Sequence, residues 1–260
     1  MAEIISLLLL GAFSGFIAGL LGVGGGLIIV PALLYLLTGS VAEVRLMHTA
    51  VGTALAAIVF TSMSSVRAHH RHGAIHWDYF KRITPSVLLG AFSGALLTQI
   101  MSFDFMRIFF AIFELTVAAI MYFGISSSRH IEHLANWIWM VAGILIGAVS
   151  AVVGIGGGTM TTPFLTYNNV DIKNAIATSA AVGMPIAIAG ALGFVVAGWQ
   201  VEGAVGGFGF LHSSALVSIA IASVLFAPLG AKVAHRVDGK KLKKFFALFL
   251  AFLGLSVLAF

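Results

Sequence analysis

Two stretches decide how this chain is read: Gly22-Val-Gly-Gly-Gly-Leu-Ile-Ile-Val-Pro31 and Gly154-Ile-Gly-Gly-Gly-Thr-Met-Thr-Thr-Pro163. The glycines and the proline coincide position for position, so the second string repeats the first. Farther along, Thr53-Ala54 and Gly73 match Thr178-Ser179 and Gly198 at identical spacing, and Phe109-Phe110-Ala111 matches Phe245-Phe246-Ala247. The chain is a tandem duplication. Its halves are residues 1–124 and 136–260, joined by a linker at 125–135.

Each glycine string sits inside a long charge-free run. Glu3 to Glu43 encloses 39 such residues and Glu132 to Asp171 encloses 38. One helix of that length would measure about 58 Å, roughly twice a hydrocarbon core of about 30 Å. Glycine also weakens helix by up to about 1 kcal/mol per residue relative to alanine. Each run is therefore expected to fold back at its glycines into a longer and a shorter arm.

Composition names the solvent. Of the 260 residues 60% are hydrophobic and only 9% are charged, against roughly 25% charged in soluble domains. Lipid must surround most of this surface. Beyond the fold-backs, apolar runs at about 48–66, 83–100, 105–124, 175–197, 210–231 and 245–260 each suffice for one crossing. The expected fold is an all-α polytopic membrane protein of two repeats, each a glycine-broken half-helix segment followed by three transmembrane helices.

Loop charge tests the fold-back. With it, loops 67–82, 125–135, 168–174 and 232–244 share a side and carry 12 of the 14 Lys and Arg residues; Arg45 and Arg107 take the other. Straight crossings would split the charges 5 against 9. The positive-inside rule favours the fold-back and makes the repeats inverted, with loops 67–82 and 232–244 cytoplasmic and both termini on the opposite face.

The net charge of +5 thus reads as topology rather than nucleic-acid binding. No cysteine is present, which removes thiolate chemistry and disulfides. No Walker string occurs, and Met1-Ala2-Glu3 lacks the positive start of a secretory signal. No cofactor and no resident metal are expected, and no catalytic set stands out. Transport would be secondary, or assisted by another subunit.

Paired breaks in two halves point to a binding site at mid-membrane. Backbone N–H groups of Gly24, Gly25, Gly26, Gly156, Gly157 and Gly158 can approach a guest closely, and short arms starting there present positive helix ends. An anion is the expected guest. Close helix packing is the plainer use of such glycines. Thr159 follows the second break, with Thr161 and Thr162 beyond it, where the first half has Leu27, Ile28 and Ile29. Thr53, Thr178 and Ser179 are further candidate donors, or simply back-bond to their own helices.

Pro31 and Pro163 read as structural. Glu114 is an acid inside an apolar span and a candidate for proton coupling, the alternative being a packing role, since the repeat places Leu250 opposite it. His48 is a second such candidate. The cluster Arg67-Ala-His-His-Arg-His-Gly-Ala-Ile-His76 would suit a metal-binding or enzymatic membrane protein, but interleaved arginines fit a solvated loop better. Lys240-Lys241-Leu242-Lys243-Lys244 reads as an anchor on anionic lipid.

The strings Leu20-Leu-Gly-Val-Gly-Gly-Gly-Leu-Ile-Ile-Val-Pro31, Ala50-Val-Gly-Thr53, His72-Gly-Ala-Ile-His-Trp77 and Val153-Gly-Ile-Gly-Gly-Gly-Thr-Met-Thr-Thr-Pro163 resemble those of the sulfite exporter TauE/SafE family over almost the whole chain. The resemblance implies a cytoplasmic-membrane permease that exports sulfite or organosulfonate-type anions. One departure is Ala54 where the second half has Ser179. A channel for the same anions is the nearest alternative, and a homodimer is a plausible assembly.

Overall fold

The computed structural model describes residues 2–22, 24–123, 135–199, 208–234 and 239–260. Ten α-helices account for nearly all of them: α1 Ala2–Leu21, α2 Gly26–Leu37, α3 Glu43–Arg71, α4 Trp77–Leu97, α5 Phe103–Phe123, α6 Asn136–Val153, α7 Gly158–Tyr167, α8 Ile172–Gly198, α9 Ser213–Ala234 and α10 Gly239–Ala259. Among the described residues seven helices are long and apolar enough to cross a membrane, and no strand forms. The protein is a polytopic helical membrane protein. Residues 125–134 of the linker and residues 200–207 lie outside the described residues, as do Arg129 and Arg236 of the expected basic side.

The chain stops being helical at the glycines. Gly25 and Gly157 are the N-caps of α2 and α7 with φ of 83° and 72°, a left-handed conformation that L side chains resist. Each break joins a longer arm to a shorter one, 20 residues to 12 in the first half and 18 to 10 in the second. A Cβ on Gly25 would lie 3.0 Å from the carbonyl oxygen of Ser14. The chain has therefore turned back alongside α1.

Directions follow from which residues meet. Gly11, Gly15 and Gly19 of α1 pack on Ile219, Ser223 and Ala227 of α9, so these helices run parallel; Gly90 and Gly94 of α4 meet Ile144 and Ala148 of α6 in the same sense. Gly52 of α3 meets Phe194 of α8 while Gly190 meets Leu55, so α3 and α8 are antiparallel. With α9 parallel to α3 through Thr53–His212 and Thr61–Ser223, and α4 parallel to α8 through His76–Thr178 and the Gly193–Ala95 contact, helices matched by the repeat run in opposite directions. The halves interlock: α1 packs chiefly on α9, and α6 on α4. Glycine lets those backbones touch, the usual device where lipid removes the hydrophobic drive.

Contacts also sort the helix ends. Asn174 Nδ2 lies 2.8 Å from His76 Nε2, Arg82 donates to Asn136, and the Lys244 ammonium sits over Tyr122. The C-terminal ends of α3 and α5 and the N-terminal ends of α4, α6, α8 and α10 thus gather at one basic end. Tyr35, Phe103 and Phe260 meet at the other. Helices run beyond the sequence-based spans: α3 continues through Arg71, because its last turn gains an exposed polar face once it leaves the apolar zone.

Candidate functional site

The two breaks meet at the middle of the bundle. A Cβ on Gly24 would lie 3.1 Å from Cα of Gly156, one on Gly26 would overlap the carbonyl of Gly154, and one on Gly183 of α8 would overlap the carbonyl of Gly156. The N-terminal turns of α2 and α7 therefore begin beside one another. Each contributes roughly half a positive charge and several N–H groups without helical partners.

A narrow cleft of about 10 Å³, room for about one water, adjoins this point, lined by Gly24 and Gly156, by Ala18 of α1 and Gly22 just beyond its end, by Thr61, Ser62 and Ser65 of α3, and by Ala180 and Gly183 of α8. These residues come from the C-terminal half of α3 and the N-terminal half of α8, so the cleft lies on the basic side of the breaks. Ser65 Oγ is buried without a hydrogen-bond partner. Thr61 donates to Ser223 Oγ at 2.7 Å and Ser64 to the carbonyl of Val224 at 3.0 Å, tying that wall to α9. On the other side Val51, Leu55, Phe194 and Phe210 are buried, with Phe210 and Phe194 packed on Gly52. One approach is hydroxyl-lined and the other is filled by apolar side chains.

The remaining sequence candidates divide. Gly25, Gly26, Gly157 and Gly158 cap and start the short arms; Pro31 and Pro163 lie within them. Thr53 is fully buried and accepts the backbone N–H of His212 at 2.9 Å; Thr178 accepts that of His76, also at 2.9 Å. These are equivalent ties, each from one half's central helix to the start of a helix in the other half. They satisfy N–H groups that helix starts leave open. Ser179 donates to the carbonyl of Ala175 and pairs with Thr162.

His48 Nε2 lies 2.8 Å from the carbonyl of Thr98, its ring tilted on Phe210. Glu114 is fully buried with neither oxygen hydrogen-bonded. Neither residue lines the cleft. His69 is buried and His70 packs edge-on against Trp77; among the described residues no three metal-ligating side chains converge.

Sequence reading missed Ser62 and Ser65. The signal was Thr61-Ser62-Met63-Ser64-Ser65, four hydroxyls in five residues within an apolar span. Ser150 was missed too: its Oγ and those of Thr159 and Thr161 are buried without partners near the start of α7. An unsatisfied buried hydroxyl costs about 1–3 kcal/mol.

The sequence profile of the family described as "Sulfite exporter TauE/SafE" matches residues 7–257. The chain belongs to the TauE/SafE family. A probable membrane transporter protein of Haemophilus influenzae is 37% identical over 256 residues, covering 96% of each chain. Another of Methanocaldococcus jannaschii is 26% identical over 266 residues, 97% of this chain and 94% of the relative. One of Bacillus subtilis is 26% identical over 255 residues, 94% and 96%. No solved structure matches. Like these relatives the TauE/SafE chain is a membrane transporter, not an enzyme.

Proposed function

We propose that the protein is a secondary transporter that exports small oxyanions, sulfite or organosulfonates, from the cytoplasm by alternating access. The meeting of the α2 and α7 N-termini at Gly24 and Gly156 carries this reading. Two positive helix ends aimed at one point disfavour a cation and suit an anion. Sulfur enters from the family, whose described activity is sulfite export.

The opposed directions of matched helices support inverted repeats rocking about a central site. The positive-inside rule turns the basic end toward the cytoplasm of a cell membrane, so the hydroxyl-lined cleft faces the compartment from which an exporter loads. Glu114 and His48 remain the candidates for proton coupling.

The test is flux through purified protein in proteoliposomes, across sulfite, thiosulfate, alkylsulfonates, carboxylates and metal cations at two pH values. Saturable flux of sulfite or sulfonates supports the proposal. Movement of cations alone sinks it, and unsaturable current would make the protein a channel.

A further inference from the structure

We propose that the side-chain grip on the oxyanion head comes from the second half alone, through the hydroxyls of Ser150, Thr159 and Thr161 beside the first-turn N–H groups of α7. This rests on the anion reading above and specifies how the anion is gripped. Ser150 and Thr161 are fully buried, and the side-chain oxygens of all three residues lack a hydrogen-bond partner. Ser150 Oγ and Thr161 Oγ1 each lie 3.5 Å from where a Cβ on Gly157 would stand, a point that the tip of Ile186 overlaps. Gly157 is the N-cap of α7, and its neighbour Gly156 lines the cleft.

Apart from Ser65 in the cleft wall, several other hydroxyls in this bundle behave differently. Thr38, Thr84, Thr98 and Thr116, with Ser86 and Ser93, each donate to a carbonyl three or four residues earlier in the chain. That is the usual use of a hydroxyl in a membrane helix. Ser150, Thr159 and Thr161 keep their donors uncommitted although they are buried, and they surround a helix start already rich in N–H donors. A hydroxyl donates one hydrogen bond, so three of them with the N–H groups match a head bearing several acceptor oxygens.

The matched positions in the first half are Ala18, Leu27 and Ile29. That half offers backbone N–H groups at the start of α2 and no hydroxyl at these sites. Recognition is therefore one-sided: oxygens toward α7, the rest of the guest toward aliphatic side chains. The duplication has kept the geometry of two sites and the chemistry of one.

Methanesulfonate and sulfite uptake into proteoliposomes tests this, with Thr161→Val, Thr159→Val and the pair Ser150→Ala/Thr161→Val. Each is expected to raise KM about tenfold or more, with a smaller effect on kcat, and Thr161→Ser is expected to restore it. Thr116→Val in α5, where the hydroxyl only bonds its own helix, should leave KM within twofold. In detergent, methanesulfonate should raise the Tm of wild type but not of the Thr159→Val or the paired variant, a readout that serves if one variant assembles poorly. Wild-type transport with unchanged KM in the variants overturns the head-group assignment alone. If neither anion moves through nor stabilises the wild type, the anion reading falls with it.

Discussion

Gly24 and Gly156 stand against each other so closely that a methyl on the first would sit 3.1 Å from Cα of the second. Two chain breaks that lie 132 positions apart in sequence (156 − 24) are thus one place in space.

Gly24→Ala should abolish flux, and Gly39→Ala provides the control. Both glycines have strongly positive φ, 82° and 84°, but Gly39 has open space where its Cβ would be. Each substitution carries about 1–2 kcal/mol of backbone strain; only Gly24→Ala adds overpacking, typically about 1–3 kcal/mol. Uptake in proteoliposomes should fall more than tenfold for the first and stay within twofold for the second, with both proteins in the membrane fraction.

Thr53→Val and Thr178→Val should destabilise without weakening substrate binding. Each removes the acceptor for a helix-start N–H while preserving side-chain shape, at a cost of about 1–2 kcal/mol. Melting in detergent would drop by several degrees and the KM for sulfite would hold. A large rise in KM at unchanged Tm would return these hydroxyls to the substrate.

Glu114→Leu installs the residue that the repeat places opposite, Leu250. It removes two buried oxygens that have no partner, and relief of about 1–3 kcal/mol is expected. Tm should rise and flux down a fixed anion gradient should persist. Loss of flux in both Glu114→Leu and Glu114→Gln would show instead that this acid carries a proton.

The chain has no cysteine, so single cysteines report access cleanly. Ser65→Cys should react with a membrane-impermeant thiol reagent applied from the side that labels His70→Cys, and saturating substrate should slow it. Leu55→Cys should stay unlabelled from either side. Equal labelling of both positions would mean that the apolar packing of Val51, Leu55, Phe194 and Phe210 is no barrier.

Much of the architecture was legible because membrane folds are constrained in one dimension. Charge-free length gave the crossings, the glycines gave the turns, and loop charge gathered the ends that Asn174–His76 and Arg82–Asn136 now join. The site was less legible. Thr53 and Thr178 were legible as candidate donors, but not as acceptors, because the N–H groups they take, of His212 and His76, lie 159 and 102 residues away in sequence. Ser62 and Ser65 escaped notice because a hydroxyl on a helix reads alike whether it faces a cleft, a neighbour or lipid. Only packing separates these.

The pairing of α1 with α9 bears on how the molecule is made. Gly11, Gly15 and Gly19 are translated 208 residues ahead (219 − 11) of Ile219, Ser223 and Ala227, their neighbours in the fold. α1 must wait in the bilayer with its glycine seam uncovered until α9 is made. A chain that stops short of α9 leaves that close-packing face bare to lipid and to other helices.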